Sequence, residues 1–196
     1  MNINKEEFNM KNTKTMVVGA VLTALVVLLQ YMGTFVRFGP FAISLVLIPI
    51  VIGTATCKKG MGAWLGFVFG IVVLLSGDAA AFLTVNAWGT IITVLLKGIL
   101  CGYLSGLAFE GAMKLFGGKI YPSTVIAALI CPIVNTGVFV IGCLLFFMPT
   151  ISQWADGTNA KQYLFVGMIG LNFLVEIAVN IVFSPIIVRI LKAIEH

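Results

Sequence analysis

The sequence predicts an all-α fold, a six-helix transmembrane bundle with both termini cytoplasmic. Three observations carry that expectation. Of 196 residues, 60% are hydrophobic and 10% charged, where a soluble domain carries about 25% charged residues. The apolar residues fall into six runs, most of them near the roughly 20 residues that cross a bilayer. Lys and Arg are unequally shared between the two sets of connections. Nine of them (Lys5, Lys11, Lys14, Lys58, Lys59, Lys114, Lys119, Arg189 and Lys192) fall on one side, and only Arg37 and Lys161 on the other. Basic loops stay in the cytoplasm, which orients the chain.

Residues 1–14 read as a short cytoplasmic N-terminal arm and residues 15–196 as one six-span membrane domain. Span 1 is expected from about Thr15 to Val36, span 2 from Phe41 to Cys57 and span 3 from Met61 to Ser76. Span 4 follows from Thr90 to Phe116, span 5 from Ser123 to Phe147 and span 6 from Tyr163 to Ile190. The first run is too long for a cleaved signal peptide and follows the acidic pair Glu6 and Glu7, so it is expected to be retained. "KKG" between spans 2 and 3 permits only antiparallel neighbours. Pro49 and Pro132 each remove a backbone donor and are expected to kink their helices. The outer connections are then Arg37 to Pro40, Gly77 to Gly89 and Met148 to Gln162. The latter two are long and partly apolar ("DAAAFLTVNAWG"), so they are expected to fold back over the bundle. Gly62, Gly66 and Gly70, and again Gly98, Gly102 and Gly106, form small-residue stripes that predict close helix packing.

Several function classes drop out. The net charge of +5 reports topology rather than nucleic-acid binding. Cys57, Cys101, Cys131 and Cys143 lack metal-ligand spacing, and the only histidine is His196, so no metal site is expected. With no internal histidine and no aspartate in any span, the nucleophile–base pair of an enzyme is missing too. Buried thiols behaving as small apolar residues suffice for the cysteines.

The informative residues are polar ones at membrane depth. Lys97 lies about 10 Å along span 4 from its outer end, and Asn172 and Glu176 lie about 13 and 20 Å along span 6. Asn172, Glu176 and Asn180 are spaced i, i+4, i+8 and share one helical face. Asn135 of span 5 falls near the same depth. A lysine near mid-membrane costs roughly 2.5–3.5 kcal/mol on insertion scales, so it asks for a reason. Three are open: an ion pair with Glu176 that fixes helix register, a ligand group met in an outward cavity, or a side chain snorkelling to the interface. Substrate-binding candidates are Lys97, Asn135, Asn172 and Glu176, with Asn86 and Trp88 from the loop before span 4. Trp154 is a further stacking candidate, Gln30 and Tyr31 are potential pocket lining, and Trp64 reads as an interfacial belt residue.

Nearly the whole chain resembles the substrate-binding S-component of an energy-coupling factor (ECF) type ABC vitamin transporter. The resemblance rests on six spans, cytoplasmic termini, the basic arm, "GAVLTALVVLL" with Ala20 and Ala24 spaced as AxxxA, and "PFAISLVLIPIVIGTATCKKGMGAWLGFVFGIVV" after the first loop. It implies a subunit of the bacterial plasma membrane that is not an enzyme. It would bind a vitamin-like small molecule from outside and dock through Ala20 and Ala24 onto a transmembrane coupling subunit carrying two ATPases. Cofactors in this chain would be none; ATP would be used by the partners, since the chain has no GxxxxGK[ST] loop. Lys97 with two asparagines suits a small hydroxylated acid such as pantothenate, while riboflavin, a folate, a B6 vitamer or a queuosine precursor stay open. The alternative is an ion-coupled secondary transporter using Lys97 and Glu176.

Overall fold

The computed structural model describes the backbone of residues 3–33, 37–38, 41–42 and 44–195, and the side chains of residues 13–33 and 44–193. Expectations resting on the side chains of Lys5, Glu6, Glu7, Lys11 and Arg37, or on Val36 and Pro40, lie outside these. Among the described residues, five elements are long and apolar enough to cross a membrane: Thr13–Gly33, Leu47–Leu75, Ala87–Leu115, Ile120–Trp154 and Ala160–Ala193. The protein is an all-helical, multi-pass membrane protein, apart from one short hairpin.

Helix α1 (Ile3–Gly33) passes the boundary between residues 14 and 15 without a break. Next comes a hairpin in which β1 (Arg37–Phe38) pairs antiparallel with β2 (Phe41–Ala42). Phe41 and Ala42, expected at the start of span 2, therefore belong to the hairpin, and α2 (Leu47–Leu75) starts only at Leu47.

Spans 2 and 3 are the two legs of α2. Its backbone leaves helical geometry at Cys57 (φ −119°, ψ 16°) and Lys58 (φ 71°, ψ 171°). The Thr54 methyl lies against Gly62. In a straight helix those residues would stand about 12 Å apart, so the chain doubles back as "KKG" predicts. The first leg, 47–56, spans about 15 Å and cannot cross a bilayer alone. Irregular backbone before Leu47 is tolerated at membrane depth only where it lines a cavity or is buried in protein, and Ser44 does line one.

The short helix α3 (Ala80–Leu83) fills the loop after α2, and α4 (Ala87–Leu115) follows. Helix α5 (Ile120–Gly142) runs through a π-turn at Cys143–Phe147 into α6 (Met148–Trp154), and α7 (Ala160–Gln162) opens the last traverse. A second π-segment, Tyr163–Gly170, leads into α8 (Leu171–Glu195), which also contains Pro185.

Packing follows the small residues. The two glycine stripes face each other along the α2–α4 seam. A methyl on Gly66 would overlap the Gly98 carbonyl and one on Gly98 that of Gly66, and Gly62 and Gly102 stand in the same relation. Backbones this close gain dispersion and weak Cα–H···O contacts that larger side chains would forbid. Gly66→Ala or Gly98→Ala is therefore expected to destabilise the bundle by about 1–3 kcal/mol or more, read as a lower melting temperature in detergent. Ser105 Oγ donates to the Ala127 carbonyl at 3.0 Å and ties α4 to α5. Cys101, Cys131 and Cys143 are buried free thiols, as expected for small apolar residues.

Helices α2, α4, α5 and α8 form a ring: α4 packs on α2 and α5, and α8 packs on α5 and α2. Helix α1 packs on α2 from outside. Lys58, Lys59 and Lys114 gather at one end of the bundle, where Lys59 pairs with Glu110 at 3.3 Å. The cavity lies toward the other end.

Candidate functional site

A cavity of about 80 Å³ opens inside the ring, and Lys97, Asn135, Asn172 and Glu176 all line it. Each side chain reaches it through helical spacing. Thr90, Thr93 and Lys97 follow at i, i+3 and i+7 on α4, and Asn135 and Phe139 at i and i+4 on α5. From α8 come Asn172 and Glu176, and from the ends of α1 and α2 come Gln30, Phe69, Val73 and Asp78.

The lysine does not pair with the glutamate. Among the described residues no carboxylate lies within salt-bridge distance of Lys97. The reason is the ring order, which puts α4 and α8 on opposite sides of the cavity. The Lys97 ammonium instead sits between two phenyl rings, 5.2 Å from the centroid of Phe69 and 5.4 Å from that of Phe139. Ring quadrupoles on both sides hold a cation at modest cost while leaving its N–H donors available.

Glu176 is held differently. It is 2% exposed, and its Oε1 accepts from the Ser44 backbone N–H at 3.3 Å and from Asn172 Nδ2 at 3.4 Å. Asn180, fully buried one turn on, donates to the Glu176 backbone carbonyl at 2.9 Å and is not part of the cavity lining. Glu176 Oε2, Asn172 Oδ1, Asn135 Oδ1 and Thr93 Oγ1 are buried without a hydrogen-bond partner among the described residues. Buried polar atoms nearly always find partners, and each one left over calls for an explanation. Here four such atoms border one cavity, an arrangement that accommodates a polar ligand.

The rim is built by the expected loops, though not by all the expected residues. Gln30 Nε2 donates to Asp78 Oδ2 at 2.6 Å and ties α1 to the loop after α2. Phe82, from α3, drops into the cavity wall edge-on to Phe139, Phe147 and Trp154, with centroids 5.7, 4.9 and 5.5 Å away. Trp154, expected to be free for ligand stacking, thus stacks on Phe82 instead.

Two candidate site residues stand outside the cavity lining. Asn86 is the N-cap of α4, its Oδ1 accepting from Gly89 N at 2.9 Å, and it does not line the cavity. Trp88 is 77% exposed on the outer surface of the same helix end. Asn86→Ala is accordingly expected to cost about 1 kcal/mol of stability and to leave ligand selectivity unchanged, measured by melting and by competition binding. Tyr31 is exposed, whereas Gln30 is buried against the cavity. Trp64 is half exposed and donates to Thr23 Oγ1 at 3.3 Å, so it packs beside α1.

Sequence reading missed Ser44, Asp78, Thr93, Phe69, Phe82 and Phe139. Thr93 and Phe139 were detectable as the i−4 neighbour of Lys97 and the i+4 neighbour of Asn135. Ser44 and Phe82 arrive from irregular segments and left no periodic signal.

Ala20 and Ala24 stand on the exposed side of α1, flanked by exposed Val17, Val21 and Leu28. No curated protein and no solved structure matches the chain. A family model described as the ECF transporter, substrate-specific component, matches residues 14–188. Members of that family are transporter subunits rather than enzymes. They bind small substrates and associate with a coupling subunit and ATPases. This multi-pass helical bundle, matched over nearly its whole length, belongs to the substrate-specific components of ECF transporters.

Proposed function

We propose that this chain captures a small anionic micronutrient from outside the bacterial plasma membrane and delivers it through a separate coupling subunit and its ATPases. The carrying observation is the cavity itself, where an ammonium and several buried acceptors, all without an ion-pair or hydrogen-bond partner among the described residues, face one space inside the bundle. On this reading both termini are cytoplasmic, the two legs of α2 count as separate spans, and the bundle has six. The basic end with Lys58, Lys59 and Lys114 then faces the cytoplasm and the cavity faces outward. Lys97, Asn135, Asn172 and Glu176 hold the substrate, and a hydroxylated acid such as pantothenate is the best match. The exposed Ala20 and Ala24 form the surface for the coupling subunit, because small residues let two helices approach closely.

The alternative is ion-coupled transport using Lys97 and Glu176. It loses weight because the two groups stand on non-neighbouring helices with no ion pair between them. Uptake of labelled pantothenate into proteoliposomes holding this chain, the coupling subunit and the ATPases separates the readings. Uptake that requires ATP and persists with an uncoupler is the expected result. Uptake without ATPases that collapses with the uncoupler would establish the alternative.

A further inference from the structure

The cavity has two chemically distinct poles. At one, on α4, the Lys97 ammonium stands between the faces of Phe69 and Phe139. It can only donate, and no carboxylate among the described residues lies within ion-pair distance of it, although Asp78 and Glu176 line the same cavity. At the other, Glu176 Oε2 and Asn172 Oδ1 on α8, with Asn135 Oδ1 on α5, are buried acceptors with no donor among the described residues. Their orientation is chemically fixed at Asn172, whose amide nitrogen is turned to the Glu176 carboxylate and so leaves its oxygen free. Asn135 and Glu176 are 4% and 2% exposed, so a ligand that failed to supply donors would leave them desolvated and unpaired.

We infer that this site takes a monocarboxylate whose far end carries hydroxyl or N–H donors, bound with its carboxylate at Lys97 and its donors on the Glu176–Asn172–Asn135 face. This deepens the importer reading by fixing the substrate's charge and polarity, and it rests on that reading for the use of the cavity. A second anionic group at the far end is rejected by the Glu176 carboxylate. An acid without far-end donors leaves the acceptors unpaired. A cation or a neutral analogue leaves Lys97 without its counter-charge. The phenyl rings between the poles tolerate methyl groups or methylenes, so selectivity resides at the two ends.

The test uses calorimetric titration of the intact chain in detergent, stripped of bound ligand. The probes are pantothenate and biotin, which carry a carboxylate and, at the far end, hydroxyl or N–H donors. Against them stand panthenol, in which an alcohol replaces the carboxylate, nicotinate, an acid without such donors, and the cation thiamine. Pantothenate or biotin is expected to bind at least about tenfold tighter than the other three, in keeping with the rejection shown by sites built to pair a polar group. If pantothenate is the binder, Lys97→Met collapses the acid-to-alcohol preference to about one; if biotin is, the same comparison is made with its neutral alcohol. Glu176→Gln lowers the affinity for the acid and its alcohol together and keeps their ratio. Tighter binding of nicotinate, panthenol or thiamine overturns the inference, as does an acid preference that survives Lys97→Met, or no binding by either donor-bearing acid. Co-purification of wild-type chain with the coupling subunit and ATPases is scored in parallel. Its persistence beside a failed ligand pattern would sink the polarity while sparing the importer reading, and its loss would count against the importer reading itself.

Discussion

Lys97→Met is expected to weaken substrate binding by roughly 30-fold or more, the consequence of losing about 2–5 kcal/mol when one partner of a desolvated charge pair is removed. The same change is expected to raise the melting temperature of the ligand-free protein. An ammonium at this depth costs roughly 2.5–3.5 kcal/mol relative to an apolar residue, and Phe69 and Phe139 offset only part of that. The opposite signs distinguish function from structure. A lysine that merely fixed helix register would lower stability on replacement and leave affinity in place. Melting with and without saturating ligand measures both effects on one sample.

The second large effect lies outside the cavity. Ala20→Leu combined with Ala24→Leu is expected to leave ligand affinity unchanged and to abolish ATP-dependent uptake. Both alanines are on the exposed side of α1, away from its contact with α2, so the bundle has no reason to rearrange. Two isobutyl groups would, however, hold a partner helix several ångströms off a surface that needs close backbone approach. Pull-down of the coupling subunit, run beside calorimetry on the same variant, checks the separation. Lost affinity would place these residues in the structural core instead, and retained uptake would move the docking surface elsewhere.

The two variants together define how the molecule divides its work. Helix α1 lies outside the ring yet reaches the cavity through Gln30, which donates to Asp78 in the loop after α2. That loop also carries Phe82, wedged among Phe139, Phe147 and Trp154. The helix bearing the exposed alanines thus touches the loop that walls the cavity. The π-segments at Cys143–Phe147 and Tyr163–Gly170 border the same space, through Phe147 and Ile169, where such irregular turns often accompany function.

The sequence was most legible where one physical rule dominates. Composition and hydrophobic run length made the membrane class plain, "KKG" announced the reversal inside α2, and the glycine stripes announced the α2–α4 seam. Lys97, Asn135, Asn172 and Glu176 stood out because polar residues at membrane depth are costly, and the structure brings all four to one cavity. Illegible were the features set by which helices neighbour which. Glu176 lies within a long lysine side chain's reach of Lys97 only if α4 and α8 are neighbours, and helical spacing alone cannot reveal ring order. The late start of α2 was masked because the hairpin residues Phe41 and Ala42 are as apolar as the helix after them. The place of Asn86 and Trp88 outside the lining was equally hidden. A loop residue can cap a helix or face outward as readily as line a pocket, and its hydrophobic context is the same in each case.

The most direct test of substrate capture is to purify the chain in mild detergent from cells grown in rich medium, denature it, and identify by mass spectrometry what is released. Lys97→Met is carried in parallel. Release of a small carboxylic-acid vitamin from the wild type, and its absence from the variant, is the predicted result. Equal release from both would contradict the role of Lys97, and release of a metal-bound or cationic compound would contradict the substrate class.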